Sequence, residues 1–213
     1  MSSDEPGDDQ SGAPAPSQGD KAPSSDATRA PSSLVRPALL FYGGMLGVAL
    51  TISLWTGDVI LPYAGEPPGG GFRPHRDVAA GLIAGALVIL LSHEFTRRTQ
   101  TGAALADALA AVLGRMSTAD CLVVAAASGI AEECFFRGVL QPNIGLVASA
   151  LVFGVAHFVP RRDLAPWALL AVVAGLLLGA LFEATGNLVA PVVAHATING
   201  VNLSLLSRRP AAG

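Results

Sequence analysis

Beyond residue 37 the sequence is dominated by apolar runs long enough to cross most or all of a lipid bilayer. A transmembrane helix needs about 20 mainly apolar residues, because the hydrocarbon core is roughly 30 Å thick. Hydrocarbon offers no partner for backbone N–H and C=O groups, which must bond within the segment, as they do in an α-helix. The chain is therefore predicted to be an all-α, polytopic transmembrane helical bundle of about six spans, at residues 38–55, 78–92, 119–140, 144–159, 164–182 and 188–206.

The composition supports a bilayer as the environment of these runs. Of 213 residues, 51% are apolar and only 14% are charged, against roughly a quarter in soluble domains, and the mean hydropathy is +0.52. The net charge of −3 comes largely from an acidic N-terminal segment, and no basic surface for nucleic acid is predicted. The expected partner is the lipid bilayer, and nucleic acid is not an expected partner.

Residues 1–36 differ from the rest of the chain. They are rich in Pro, Ser, Gly, Ala and Asp, and are predicted to be a disordered tail that precedes a transmembrane helical domain at residues 37–213. The tail is acidic and the first apolar run begins only near residue 38, which is typical of neither a signal peptide nor a transit peptide. Within the membrane domain we expect an irregular Pro- and Gly-rich loop at 57–77 and an interfacial helix at 101–116.

The arginines predict an orientation. In a six-span arrangement only Arg73 and Arg76 fall on one side of the membrane. The opposite side receives Arg29, Arg36, Arg97, Arg98, Arg115, Arg161, Arg162, Arg208 and Arg209. Cytoplasmic loops carry an excess of Lys and Arg, and this distribution predicts that both termini are cytoplasmic.

Two adjacent carboxylates, Glu132 and Glu133, interrupt one of the most apolar stretches. An unpaired charge in a bilayer costs roughly 2.5–3.5 kcal/mol on insertion scales, and ionisable groups there are expected to face a protein interior and to be functional. On a helix Glu133 lies one turn before Arg137, in the favourable order for an ion pair, whereas Glu132 is rotated about 100° away. The spacing predicts one paired carboxylate and one free to accept a proton, although a structural ion-pair network is an alternative interpretation.

Two histidines are predicted to lie at a similar depth. His157 follows Phe153 by one helical turn, and His195 precedes Asn199 by one turn. If residues 141–145 and 186–187 form turns on the same membrane face, a rise of 1.5 Å per residue places Glu132 about 13 Å deep, His195 about 12 Å and His157 about 18 Å. A carboxylate, two imidazoles and an amide that converge in this way would form a hydrolytic set.

These residues form three ordered motifs that resemble the CAAX prenyl protease and bacteriocin-processing (CPBP, or Abi) family of intramembrane proteases. The motifs are Glu-Glu-x-x-x-Arg at Glu132, Glu133 and Arg137, Phe-x-x-x-His at Phe153 and His157, and His-x-x-x-Asn at His195 and Asn199. They lie in a predicted protease core at about residues 120–202. The resemblance implies an intramembrane endopeptidase that acts on a protein or peptide substrate, and we expect an integral multi-pass protein of a bacterial-type cytoplasmic membrane.

The resemblance also implies roles for the site residues. Glu132, with His157, would activate the attacking water, while His195 and Asn199 would stabilise the oxyanion. Glu133 and Arg137 would hold the site together. The family is commonly described as metalloproteases, and Glu132, His157 and His195 would then bind a divalent metal such as zinc. A metal-free glutamate mechanism fits the same residues.

Two other classes of function compete with proteolysis. Intramembrane Glu, Arg and His residues also occur in transporters and proton relays. A noncatalytic membrane scaffold that binds partner proteins is the third hypothesis. The predicted orientation also conflicts with the resemblance, because relatives that process prenylated proteins open their site to the cytosol, whereas the nearer turns here are predicted outside.

Overall fold

The computed structural model describes Met1, residues 34–57 and residues 73–210. Nearly all of the predicted tail and most of the predicted loop 57–77 lie outside these ranges. The described residues form eight α-helices together with a π-helical segment, Cys134–Leu140, and a 3₁₀ turn, Arg162–Leu164. The helices are α1 Val35–Thr56, α2 Pro74–Arg98, α3 Gln100–Leu113, α4 Thr118–Glu133, α5 Gln141–Ile144, α6 Leu146–Ala156, α7 Ala165–Thr185 and α8 Val189–Ser207.

The prediction of an all-α membrane bundle is confirmed, and the predicted number of about six spans compares with four helical stretches of spanning length in the described residues. Four helical stretches are long and apolar enough to cross a membrane: Val35–Thr56, Pro74–Arg98, Arg162–Thr185 and Val189–Ser207. The other two predicted spans take different forms. The 16-residue α4 carries two carboxylates and runs without a break into the π segment, whereas α6 has only 11 residues.

Local sequence explains several helix ends. α4 begins with a capping box, in which the Ser117 side chain accepts from the backbone of Asp120 and the Asp120 side chain accepts from the backbone of Ser117. α2 begins at Pro74, four residues earlier than predicted, because proline fits the first turn of a helix. The helix predicted at 101–116 is α3, which ends at Leu113 because Gly114 adopts a φ of 69°.

Small residues allow the central helices to approach closely. A Cβ added to Gly81 of α2 would lie 2.5 Å from the Ala190 carbonyl oxygen of α8. A Cβ added to Gly175 of α7 would lie 3.1 Å from the Ala150 Cα of α6. In a bilayer the hydrophobic effect does not drive helices together, and close van der Waals packing of this kind holds them instead. The packing also brings the three motifs into one core.

The arginine-rich termini of several elements lie at one end of the bundle. Arg208, after α8, donates to Thr118 at the start of α4, and Arg209 donates to Asp107 of α3. Leu164, beside Arg161 and Arg162, packs against the same helix α3. At the opposite end Asn187 donates to Asp77 at the start of α2, close in sequence to Arg73 and Arg76.

Candidate active site

The two adjacent glutamates end α4, and the helix changes its winding immediately after them. Residues Cys134–Leu140 form a π-helix. Short π-helical segments in α-helices are rare and occur frequently at functional sites. This feature was not predicted, because nothing in the apolar pattern of the sequence distinguishes a π turn from an α turn. Both glutamates are nevertheless buried, with relative exposures of 4% for Glu132 and 0% for Glu133.

Glu133 lies at the centre of a buried ion pair, as its spacing predicted. Its Oε1 accepts from Arg137 Nη1 at 3.1 Å. The same oxygen lies 2.6 Å from His195 Nδ1, a contact that the sequence did not predict. A carboxylate can only accept here, and this assigns the Nδ1 proton to His195. Arg137 also donates to the Gly175 carbonyl oxygen at 3.0 Å, which ties the π segment to α7.

Glu132 has a different environment, because its carboxylate lies between the imidazole rings of His157 and His195. Its Oε2 lies 3.7 Å from His157 Nε2 and 3.9 Å from His195 Nε2. Both separations exceed a direct hydrogen bond, and Oε2 accepts none from any residue that the structure describes. The predicted convergence of Glu132, His157 and His195 is thus observed. Of the three side chains, His157 is the most accessible, at 18%.

Phe153, one helical turn before His157, contacts residues of all three motifs. Its carbonyl oxygen lies 2.8 Å from His157 Nδ1, so Nδ1 carries the proton and Nε2 presents its lone pair toward Glu132. Its ring lies under the Arg137 guanidinium, with 4.8 Å between Cζ and the ring centroid. The edge of the same ring meets the His195 ring at a centroid distance of 6.0 Å. One aromatic side chain therefore separates and orients members of all three motifs.

Asn199 lies one turn beyond His195 on α8, and its side chain is anchored to α4. Its Nδ2 donates to Ser128 Oγ at 2.8 Å, and Ser128 in turn donates to the Ala125 carbonyl. Ser128 is 1% exposed and precedes Glu132 by one turn. Sequence reasoning did not select Ser128, since a serine in an apolar helix commonly bonds to its own backbone.

A second residue that sequence reasoning missed is Tyr42 of α1. It is half-buried and lies near the Glu132 carboxylate. No motif pointed to this tyrosine, which resembles the aromatic residues that commonly mark a membrane interface.

The site offers the donor types of a zinc site. Two imidazole Nε2 atoms face one carboxylate, and each imidazole is fixed through Nδ1, by Glu133 or by the Phe153 carbonyl, as in many metal centres. Within residues 34–57 and 73–210, however, no three His, Cys, Asp or Glu side chains are grouped closely enough to hold a metal ion. The donor types fit zinc, and Glu132 Oε2 lies 3.7 and 3.9 Å from the two Nε2 atoms.

A known family model matches the part of the chain that contains these motifs. Residues 114–201 match a family model described as type II CAAX prenyl endopeptidase Rce1-like. A protein of Bacillus subtilis (strain 168) described as "Uncharacterized protein YpbD" is 47% identical over 73 residues. That match covers 33% of this chain and 37% of the relative, and no solved structure matches the chain significantly.

The family match and the four candidate spans together indicate an integral membrane protein with a CAAX-endopeptidase-like region. The family match extends over α4, the π segment, α5, α6, α7 and most of α8, and leaves α1, α2 and α3 outside. Residues 114–201 are therefore Rce1-like, which confirms the resemblance to the CAAX prenyl protease and bacteriocin-processing family drawn from the three motifs.

Proposed function

We propose that the chain is an intramembrane endopeptidase in which Glu132 and His157 activate the attacking water. The observation that carries this proposal is the arrangement of Glu132 Oε2 opposite His157 Nε2, 3.7 Å apart. Both atoms are acceptors in this arrangement, so they cannot bond to each other. A water molecule can donate one hydrogen to each and keep a lone pair for the substrate carbonyl.

The proposed reaction is a general-base hydrolysis. The water oxygen attacks the carbonyl carbon of the scissile peptide bond while one of its protons passes to Glu132 Oε2. The carbonyl oxygen becomes an oxyanion. As the tetrahedral intermediate collapses, the C–N bond breaks and the proton held by Glu132 is delivered to the leaving amine, which returns the carboxylate to its starting state.

His195 is proposed to donate to the oxyanion. Its Nδ1–H is fixed by Glu133, and its Nε2 faces the space beside Glu132. Two carboxylates and one guanidinium leave the cluster one negative charge in excess, and a protonated His195 would balance it, since buried charges require pairing. Asn199, on the same face of α8, is proposed as a second donor, held by Ser128. Glu133 and Arg137 are proposed to maintain this geometry.

If a zinc ion binds, Glu132, His157 and His195 would be its ligands. The ion would then polarise the carbonyl group or a bound water. Both histidines would then bind the ion through Nε2, since each Nδ1 is already bonded, and these atoms would no longer accept from water or donate to the oxyanion. Because the matching family model is described as a CAAX prenyl endopeptidase, prenylated peptides are proposed as candidate substrates.

The test is a cleavage assay in detergent with a peptide library that includes S-farnesylated members. Wild-type protein should cleave at least one peptide. Glu132→Gln should abolish cleavage while leaving the melting temperature close to that of the wild type, because an amide keeps the shape of the side chain but cannot take a proton from water. Cleavage that persists in this variant would point to a contaminating protease. If the wild-type protein cleaves no peptide, the proposal of proteolysis is contradicted, and a transporter or a noncatalytic scaffold becomes the favoured hypothesis.

A separate experiment concerns the metal. If zinc is bound by Glu132, His157 and His195, dialysis against a strong chelator should remove metal and activity together, and added zinc should restore both. Metal content is measured by elemental analysis of the same samples that are assayed. Full activity in a metal-free sample would contradict the zinc proposal and support the glutamate mechanism.

A further inference from the structure

Two polar contacts, about one helical turn apart, join α8 to α4. The first is the pair of His195 with Glu133, and the second is the hydrogen bond from Asn199 Nδ2 to Ser128 Oγ at 2.8 Å. The later residue of α8 meets the earlier residue of α4, so the two helices run in opposite directions. The first contact fixes the ring of His195, and the second fixes the amide group of Asn199.

The second contact forms where α4 and α8 approach each other closely. A Cβ added to Gly129, the residue after Ser128, would lie 3.0 Å from the backbone nitrogen of Ala196 and 3.2 Å from its Cβ. Such close packing keeps the two helices at a fixed separation. Ser128 itself is only 1% exposed, so bulk solvent does not compete for its hydroxyl.

The hydroxyl of Ser128 has one hydrogen, and that hydrogen is already used. Ser128 Oγ donates it to the Ala125 carbonyl oxygen at 3.1 Å. Toward Asn199 the same oxygen can therefore only accept. An asparagine amide has a donor end and an acceptor end of nearly the same shape, and only its NH₂ end can bond to this oxygen. Ser128 thus selects one of the two orientations of the Asn199 amide.

The selected orientation matters for an oxyanion. The Asn199 nitrogen carries a second hydrogen beyond the one that Ser128 accepts, and the proposed function assigns this second hydrogen to the oxyanion. In the opposite orientation the amide oxygen would take the place of the nitrogen, and two acceptors repel each other. We propose that Ser128 is a positioning residue that holds Asn199 in its donor orientation. This inference rests on the proposed function and extends it to a residue outside the three motifs.

The test is a double-mutant cycle of Ser128→Ala and Asn199→Ala, assayed on the library peptide that the wild type cleaves fastest. Asn199→Ala should lower kcat by about 100-fold, as the loss of one oxyanion donor does. Ser128→Ala should lower kcat by about 10-fold with KM changed less than about threefold, because the freed amide still samples the donor orientation. In the Asn199→Ala background, Ser128→Ala should change kcat less than about twofold, because no amide is left to orient.

Ser204→Ala is the matched control. It removes a serine hydroxyl from α8 that donates to the Gly200 carbonyl of its own helix at 2.7 Å, and it should match the wild type in kcat and KM. Melting curves in the same detergent should show each variant folded at the assay temperature. If Ser128→Ala does not fold, Ser128→Cys takes its place in the cycle, since a thiol is similar in shape and a weak acceptor.

The outcomes distinguish this inference from the proposed function. A structural role for Ser128 would lower kcat by the same factor in both backgrounds, and that result, or a wild-type kcat in Ser128→Ala, would overturn the inference while Glu132→Gln still confirmed proteolysis. A wild-type kcat in Asn199→Ala would overturn it together with the donor role of Asn199. The absence of any cleavage by the wild type would overturn the proposed function as well. A loss in the wild-type background that disappears in Asn199→Ala would support the inference.

Discussion

Glu132 and Glu133 are adjacent and almost equally buried, yet their neighbours differ completely. Glu133 shares one oxygen between Arg137 and His195, and its environment is that of an ionised, paired group. Glu132 faces two imidazole Nε2 atoms and forms no ion pair with an arginine in the described residues. The identity of the neighbours, rather than the depth of burial, thus separates the two carboxylates, and it underlies the proposed division between a base and a structural acid.

A comparison of glutamate variants tests this division. Glu133→Gln leaves Arg137 and His195 without their counter-charge, and breaking a buried ion pair from one side typically costs about 3–5 kcal/mol. We expect a lower yield and a lower melting temperature, together with any loss of activity. The matched control is Glu94→Gln, which removes a carboxylate from exposed pairs with Arg97 and Arg98 and should cost at most about 1 kcal/mol.

The melting curves and turnover rates of these variants are measured in one detergent, beside Glu132→Gln. If Glu133→Gln melts like the wild type and alone loses turnover, the two roles have been assigned the wrong way round. The same conclusion follows if Glu132→Gln turns over at nearly the wild-type rate.

At the scale of the element, the bundle is held by glycine faces and by side chains that bond to glycine carbonyls. Arg137 donates to the Gly175 carbonyl, and one turn further along both helices Gln141 donates to the Gly179 carbonyl. The two contacts join α7 to the π segment and to the start of α5. Glycine permits them because no Cβ stands between the helices; a Cβ on Gly179 would lie 2.6 Å from Gln141 Oε1.

Gly81→Ala is the corresponding prediction for α2 and α8. The new methyl would lie 2.5 Å from the Ala190 carbonyl oxygen and 2.8 Å from the Val193 Cβ, so the helices must move apart. Such overpacking typically costs about 1–3 kcal/mol, and α8 would carry His195 with it. We therefore expect a lower melting temperature and lower turnover. Gly44→Ala in α1 is the control, since nothing lies within 4 Å of its added Cβ and it should melt like the wild type.

At the scale of the whole molecule, the outer surface is that of a protein surrounded by lipid. Large apolar side chains are widely exposed, among them Leu54 at 86%, Trp55 at 88% and Ile83 at 71%. Patches of this kind on a soluble protein would drive aggregation, whereas acyl chains solvate them. The predicted cytoplasmic location of both termini remains a prediction.

Alkaline carbonate extraction tests the membrane assignment. The chain should remain in the membrane pellet, because its four candidate spans are held by the bilayer and not by charge. A chain that starts at Leu34 and lacks the acidic tail should fold and pellet in the same way, since the tail is predicted to contribute no packing. Recovery of either protein in the supernatant would contradict the assignment.

The structure also indicates toward which end of the bundle the candidate site is accessible, a point on which the predicted orientation and the family resemblance conflicted. α6 ends at Ala156, and the chain continues through the partly exposed His157 to the exposed Arg161 and Arg162. The more accessible side of the site thus leads toward the arginine-rich end of the bundle. The expectation that the nearer turns lie outside the cytosol assumed that α6 crosses the whole bilayer. The 11 residues of α6 are too few for that.

The sequence by itself determined the fold class and the pairing of Glu133 with Arg137, and it placed Glu132, His157 and His195 at a similar depth. These conclusions depend on hydropathy and on helical periodicity, which are properties of local sequence. They needed only the depth of each residue along its own helix.

The tertiary structure alone decided which atoms meet. Helix rotation and close packing between α4 and α8 bring His195 Nδ1 to Glu133 and turn Nε2 toward Glu132. The π turn and the placement of Tyr42 beside Glu132 likewise depend on how α1, α4 and α8 pack. Periodicity gives the depth of a side chain and its face, but contacts between helices far apart in sequence are set by the packing of the whole bundle, which no local pattern encodes.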